Sequence, residues 1–249
     1  MNRRYIFILT LFLFFACNSE DANNCFQTSG KIIQKTVDVS SFDKIFVNRD
    51  IEVIIKEAPE YAVTIETGAN LLNDVIVQII DNQLILTDNN SCNYVRDYGI
   101  TKVYVDAPNL TEIRTSSQYE ISSDGPLNYN NLALNSEDYN EENEFTVGDF
   151  RLTINSENLS ITANNLSFFY IDGTVEHLFV GFYAGAGRFE GENLVAQNVS
   201  VYHRGSNDMK VNPQLSLTGE LRGTGNLISV NEPPVIDIER IYTGRLIFE

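Results

Sequence analysis

The sequence predicts an all-β fold, a single-stranded parallel β-helix (β-solenoid) with coils of about 20 residues. Three observations predict it. A short turn centred on Gly or Ser recurs through the second half, at Ser116, Ser136, Ser156, Gly173, Gly185, Gly205, Gly223 and Gly244, in steps of 20, 20, 17, 12, 20, 18 and 21 residues. The runs between the turns alternate apolar and polar with period two, the signature of strands. Beyond the N-terminal apolar segment, no window carries a long apolar face at i, i+3, i+4, i+7, so almost no helix is expected.

Arg3 and Arg4 precede an apolar stretch from Tyr5 to Ala16. Twelve residues are too few to span a bilayer, which takes about 20, but they suit the hydrophobic region of a signal peptide. Phe14-Phe15-Ala16-Cys17 resembles a bacterial lipobox, with Phe14 where Leu is usual, and makes Cys17 the lipidation site. Asn18-Ser19-Glu20-Asp21 then resembles the surface-export signal of some lipoproteins. Residues 1–16 are thus read as a lipoprotein signal peptide and 17–30 as a polar tether. With Cys17 acylated, Cys25 and Cys92 remain. An even remainder in an exported chain points to one disulfide, and two unpaired thiols is the alternative. Neither has partners at zinc-site spacing.

Strands begin at Lys31. Phe42, Ile45 and Val47 lead to Ile51, Val53 and Ile55, with a break at Glu57-Ala58-Pro59. Val63 and Ile65 follow, then Val75, Val77 and Ile79, a turn at Asp81-Asn82, and Leu84 and Leu86. Residues 88–100 read as a loop. Residues 31–100 are expected to form N-terminal coils or a cap, and 101–249 the regular coils. Val103, Val105, Leu110 and Ile113 restart the strands, and Ile241, Leu246, Ile247 and Phe248 close the chain. The clearest turns, Ala184-Gly185-Ala186-Gly187, Arg204-Gly205-Ser206-Asn207 and Arg222-Gly223-Thr224-Gly225, nominate Gly185, Gly187, Gly205, Gly223, Gly225 and Gly244 as structural turn residues. Glycine there permits φ > 0 and lets the adjacent coil approach closely.

The formal net charge is -17. That argues against nucleic acid, whose phosphates need a basic surface, and against electrostatic docking to anionic lipid. The membrane is expected to be met through the N-terminal lipid anchor only. The acidic segment holding Glu137, Asp138, Glu141, Glu142 and Glu144 offers weak calcium candidates, but a solvated acidic loop is the preferred reading, and no cofactor or metal is assigned. His177 and His203 are expected at surface or corner positions. Asp172 with Glu190, or Glu190 with Asp208, lies about one coil apart and could stack as a catalytic carboxylate pair. The solvent face of a rung explains them equally. No nucleophile elbow and no phosphate loop is present. Tyr94, Tyr98, Tyr104, Tyr119, Tyr129, Tyr139, Tyr170, Tyr183, Tyr202 and Tyr242 could stack on sugars or anchor an interface, and ordinary packing is preferred.

Across residues 36–249 the layout resembles a known family. Val39-Ser40-Ser41-Phe42-Asp43-Lys44-Ile45 comes first, then Ile51-Glu52-Val53-Ile54-Ile55-Lys56. Val63-Thr64-Ile65-Glu66, Asn70-Leu71-Leu72 and Asn82-Gln83-Leu84-Ile85-Leu86 follow. Val103-Tyr104-Val105-Asp106-Ala107-Pro108-Asn109-Leu110 leads to the glycine turns, of which Leu221-Arg222-Gly223-Thr224-Gly225-Asn226-Leu227 is the last. In that order these pieces resemble the auto-transporter adhesin, head GIN domain proteins of Bacteroidetes. The resemblance implies a β-helical solenoid on an exported, often lipid-anchored protein of the outer membrane or cell surface. Ser116, Ser136 and Ser156 stand where that family favours glycine. No strand array resembling an autotransporter barrel is present. The function expected is a non-enzymatic, adhesin-like surface module whose side walls bind a protein or glycan ligand. The alternative is a glycan-binding or polysaccharide-active β-helix protein. Converging carboxylates would mark an enzyme; a flat wall of aromatics and Asn would mark a binding module.

Overall fold

A computed structural model of the chain describes residues 24–90, 92–138 and 145–249. The signal peptide, Cys17 and the tether's first residues lie outside the described residues, as do Tyr139, Glu141, Glu142 and Glu144. The fold is all-β. Two three-residue 3-10 turns, Asn24–Phe26 and Leu72–Asp74, are its helical elements among the described residues.

The strands are β1 (Ile32–Val37), β2 (Lys44–Asn48), β3 (Glu52–Glu57), β4 (Ala62–Gly68), β5 (Val75–Ile80), β6 (Gln83–Asp88), β7 (Lys102–Ala107), β8 (Glu112–Ser116) and β9 (Ile121–Leu127). They continue with β10 (Asn131–Ser136), β11 (Phe150–Ala163), β12 (Phe168–Phe182), β13 (Arg188–His203), β14 (Met209–Leu221), β15 (Leu227–Ser229), β16 (Val235–Arg240) and β17 (Leu246–Phe248). All belong to one 17-stranded sheet.

Two hydrogen-bonded ladders organise it. In the first, β6, β2, β8, β10, the second halves of β11 to β14, and β16 pair in parallel. In the second, β7, β3, β9, the first halves of β11 to β14, β15 and β17 do the same. Each long strand therefore crosses from the second ladder to the first. Period-two alternation sends one set of side chains from both ladders into a single core. Parallel strands need crossover connections, and here the crossing to the other ladder supplies them.

The N-terminal region departs from this regularity. β5 pairs antiparallel with β6, and β4 pairs antiparallel with both β1 and β7. The stacking order also differs from chain order, because β2 and β3 lie between β6–β7 and β8–β9. Residues that come early in the chain are enclosed by later ones.

The true turn column joins the first ladder to the second. It contains Gly185, Gly205, Gly223 and Gly244, and neighbouring turns bond to one another: Ser206 N donates to Gly185 O (3.0 Å), Gly225 N to Gly205 O (3.2 Å) and Gly244 N to Gly223 O (3.1 Å). Ser156 and Gly173 do not belong to it. Both lie inside long strands at the opposite bend, where Ser156 pairs with Val175, and Gly173 with Ile154 and Leu194. That misplacement accounts for the irregular steps of 17 and 12. Ser116 and Ser136 end β8 and β10 and are fully buried. Of the six nominated glycines, only Gly185 has positive φ (80°). Close approach dominates instead, since a Cβ on Gly223, Gly225 or Gly244 would overlap a carbonyl oxygen of the turn before it.

Candidate functional site

The outer face of the first ladder carries the most developed surface. Inward residues Leu159, Ile161, Leu178, Val180, Val199 and Val201 are buried, so their strand neighbours point outward. Register sets these in rows. Asn131, Asn158, His177, Asn198 and Ser216 form the first row. Ala133, Ser160, Phe179, Ser200 and Thr218 form the second, and Asn135, Thr162, Gly181, Tyr202 and Glu220 the third. In a chain of net charge -17, Glu220 is the sole acid in these rows, which hold no Lys or Arg. Arg222 pairs with it. Charged residues bound the face at both ends: Glu112 and Arg114 on β8, Asp237 and Glu239 on β16.

An aromatic cluster sits at the centre. Gly181, the next-to-last residue of β12, is a position where an outward side chain would normally stand. An added Cβ there would lie 2.9 Å from both Phe179 Cε1 and Tyr183 Cε2, so the two rings close over the glycine. Tyr183 stacks on Tyr202 with centroids 4.8 Å apart, and the Arg222 guanidinium lies 5.6 Å from the Tyr202 ring centroid. Beside Phe179 a groove of about 390 Å³ runs along the first two rows, past Asn158, His177, Asn198, Ser200 and Thr218. Asn158 Nδ2 donates to Asn131 Oδ1 (2.8 Å), and Ser216 Oγ to Asn198 Oδ1 (2.8 Å), which orients the amides along the groove's rim.

The carboxylates proposed to stack do not converge. Register sets Glu190 opposite Tyr170 and Lys210, not opposite Asp172. Glu190 pairs with Arg188, and Asp208 accepts from Asn226 N (2.8 Å) and Nδ2 (3.1 Å). Their spacing of 18 residues misled because the register partners of Glu190, Tyr170 and Lys210, each lie 20 residues away. Glu137 is not solvated acidic loop either. It is buried and ion-paired with Arg114, while Asp138 accepts from Asn164 Nδ2. No group of three or more His, Cys, Asp or Glu among the described residues is placed to hold a metal.

A second concavity, about 260 Å³, lies by the loop after β6 and is lined by Asp88, Arg96, Thr101 and Gln118. Burial pushes the Asp88 carboxyl up, against hydrogen bonds from Thr101 Oγ1 (2.6 Å), Asn90 N (2.8 Å) and Asn90 Nδ2 (2.6 Å). Arg96 is committed to the carbonyls of Gln27 (3.1 Å), Asn90 (3.2 Å) and Cys92 (2.9 Å). Cys25 and Cys92 form a disulfide, Cα–Cα 4.5 Å, that ties this loop to the start of the described chain. The loop is therefore clamped structure.

Of the surface or corner positions expected, His177 takes an exposed one on β12, and His203 takes a corner, at the end of β13 where the turn begins, but with its ring buried inside. It continues an interior ring stack from Phe150 through Phe169 and Phe182, with centroid spacings of 4.9, 5.9 and 6.1 Å. Burial lowers its pKa, opposed by the Asn207 backbone and the Asp208 charge. Neither ring nitrogen meets bonding geometry with a partner. The tyrosines divide: Tyr129 is buried and donates to Ala107 O (3.0 Å), while Tyr94, Tyr98 and Tyr242 are exposed.

The family model described as "Putative auto-transporter adhesin, head GIN domain" matches residues 41–233. The chain belongs to this family. Solved structures share the head GIN fold. A putative adhesin from Bacteroides fragilis is 19% identical, with a TM-score of 0.79 over 89% of this chain and 99% of that one. A putative lipid binding protein from Parabacteroides distasonis is 15% identical, with a TM-score of 0.60 over 88% and 97%. A putative adhesin from Parabacteroides merdae is 16% identical, with a TM-score of 0.56 over 88% and 97%. At these identities the likeness is one of fold. No curated protein matches the sequence. In this head GIN chain, no helix among the described residues is long and apolar enough to cross a membrane.

Sequence reasoning missed the platform of Phe179, Tyr183 and Tyr202. The aromatics were visible, but only register sets Tyr202 beside Gly181. The nearest usable signal was the 19-residue interval between Tyr183 and Tyr202, close to one coil.

Proposed function

We propose that this head GIN protein is a non-enzymatic, adhesin-like surface module that binds a ligand on the outer face of its first ladder. The observation that carries this reading is the aromatic-centred face itself, whose three rows hold a single acid, paired with Arg222, on registered strands in an otherwise acidic molecule. The name of its family supports a role at the cell surface. On this reading the ladders form a β-solenoid with coils of about 20 residues, residues 31–249 are the head domain, and its side wall is the binding surface. Residues 1–16 direct export, Cys17 carries the lipid, and residues 17–30 hold the domain off the outer membrane. Partners are a protein or glycan, with no nucleic acid. The committed carboxylates favour binding over polysaccharide cleavage.

Purified protein applied to immobilised glycans and matrix proteins, with and without calcium, tests the binding role. Saturable capture of one ligand class, blocked by a bulky substitution on the first ladder, is the expected result. Capture that only second-ladder substitutions block would refute the assignment of the face. For the anchor, Cys17→Ser is expected to release the protein from the membrane fraction, and retention of that variant in membranes would refute lipidation at Cys17.

A further inference from the structure

We infer that the first-ladder face binds a neutral oligosaccharide, with a sugar ring packed against Phe179 in the groove and its hydroxyls met by the neighbouring amide and hydroxyl side chains. This rests on the surface-binding reading above and names its ligand class.

Backbone chemistry removes one competitor first. The halves of β11, β12 and β13 that carry the face are paired in parallel on both sides. Their N–H and C=O groups are spent in the ladder, so an extended peptide cannot add as a further strand here. Recognition must come from side chains.

Side-chain chemistry then selects among ligands. The face offers the Phe179 ring on the groove wall and neutral groups that donate or accept, namely the Asn158 and Asn198 amides and the Ser200 and Thr218 hydroxyls. A pyranose presents the complement: an apolar C–H face, ringed by hydroxyls that also donate and accept. Phosphate, sulfate or uronate would require an unpaired cation. Arg222 is paired with Glu220, Arg204 stands past the end of β13 among the turn residues and outside the three rows, and the chain's charge of -17 repels polyanions from a distance. A basic ligand would find no acid free of that pairing in the three rows. A small groove with an aromatic wall and a few placed polar groups is the usual form of a binding site for a small polar molecule.

Gly181 explains how the platform forms. Any side chain there would press into Phe179 and Tyr183. Its absence lets both rings lie over the strand, with Tyr202 stacked alongside.

The test is calorimetric titration of the purified protein with neutral hexose and N-acetylhexosamine oligosaccharides, uronate oligosaccharides, and matrix proteins. Saturable binding of a neutral oligosaccharide is expected. Phe179→Ala should weaken it about tenfold, the scale of one lost ring contact. Ser200→Trp, which fills the groove from an exposed position, should abolish it, and Tyr170→Ala on the second ladder should leave it unchanged. Circular dichroism of each variant separates lost binding from lost fold. Absence of binding to every neutral oligosaccharide overturns the inference, as does binding indifferent to Ser200→Trp. A matrix protein bound instead, and lost in Ser200→Trp, overturns the sugar class while leaving the surface-binding role. No ligand of either kind would sink both.

Discussion

Close approach, more than unusual backbone angles, determines what single residues do here. Gly225 sits where a Cβ would overlap both Asn207 O and the His203 ring, whereas at Gly205 the nearest atom would be His203 Cε1 at 3.3 Å. Gly225→Ala is therefore expected to cost about 1–3 kcal/mol, as overpacking does, and Gly205→Ala clearly less; chemical denaturation of the pair checks the order. His203 makes a pH prediction. Its folded pKa is depressed below the ordinary 6.5. Its contribution to stability is thus complete above 6.5 and is lost as pH falls through the folded value. Asp88 has the opposite sign, because its folded pKa is raised above 3.8. Its contribution is complete below 3.8 and is lost as pH rises through the raised value. The melting temperature of the wild type should fall as the solution is taken from neutral to mildly acidic pH. His203→Leu should flatten that slope, and an unchanged slope would show that His203 is not its source.

Whole elements are held by a few cross-links between distant segments. The Cys25–Cys92 disulfide spans 67 residues, and the loop-entropy model gives such a closure about 4 kcal/mol. Reduction should lower the denaturation midpoint accordingly and expose the backbone of residues 88–101 to proteolysis. Buried rings tie the strands across the two ladders. Phe169 touches Phe150 and Phe182, and Phe169→Ala should cost about 3–5 kcal/mol. The strands themselves were legible as alternation, from Ile45 and Val47 in β2 to Val103 and Val105 in β7. Turn identity was not. Ser156 and Gly173 look in sequence like Gly185, yet they sit at the other bend, because a long strand crossing between ladders needs a local kink as much as a turn does.

At the scale of the molecule, stability along a stack of parallel rungs is set by nearest neighbours. Among the described residues, β16 pairs only with β14, and β17 only with β15. Val235, Ile236, Ile247 and Phe248 remain exposed on them. Hydrogen exchange should therefore be fastest in β16 and β17 and slowest in β12 and β13, which have parallel neighbours on both sides. Uniform protection would contradict a rung-by-rung stack. The placement of β2–β3 between later strands adds a folding expectation. That rung cannot be closed until β6 to β9 have formed, so its protection should develop late in refolding.

The sequence by itself determined the all-β class, the family, the acidic surface and the recurrence of close-packed glycine turns. Each follows from local composition or period-two alternation, which neighbours along the chain impose. Tertiary structure alone decided the rest. The interleaving of β2–β3, the antiparallel strands β1, β4 and β5, the burial of Glu137 against Arg114, the interior site of His203 and the platform over Gly181 all depend on inter-strand register. Register couples residues about a coil apart, and a slip of one residue would exchange the inward and outward faces.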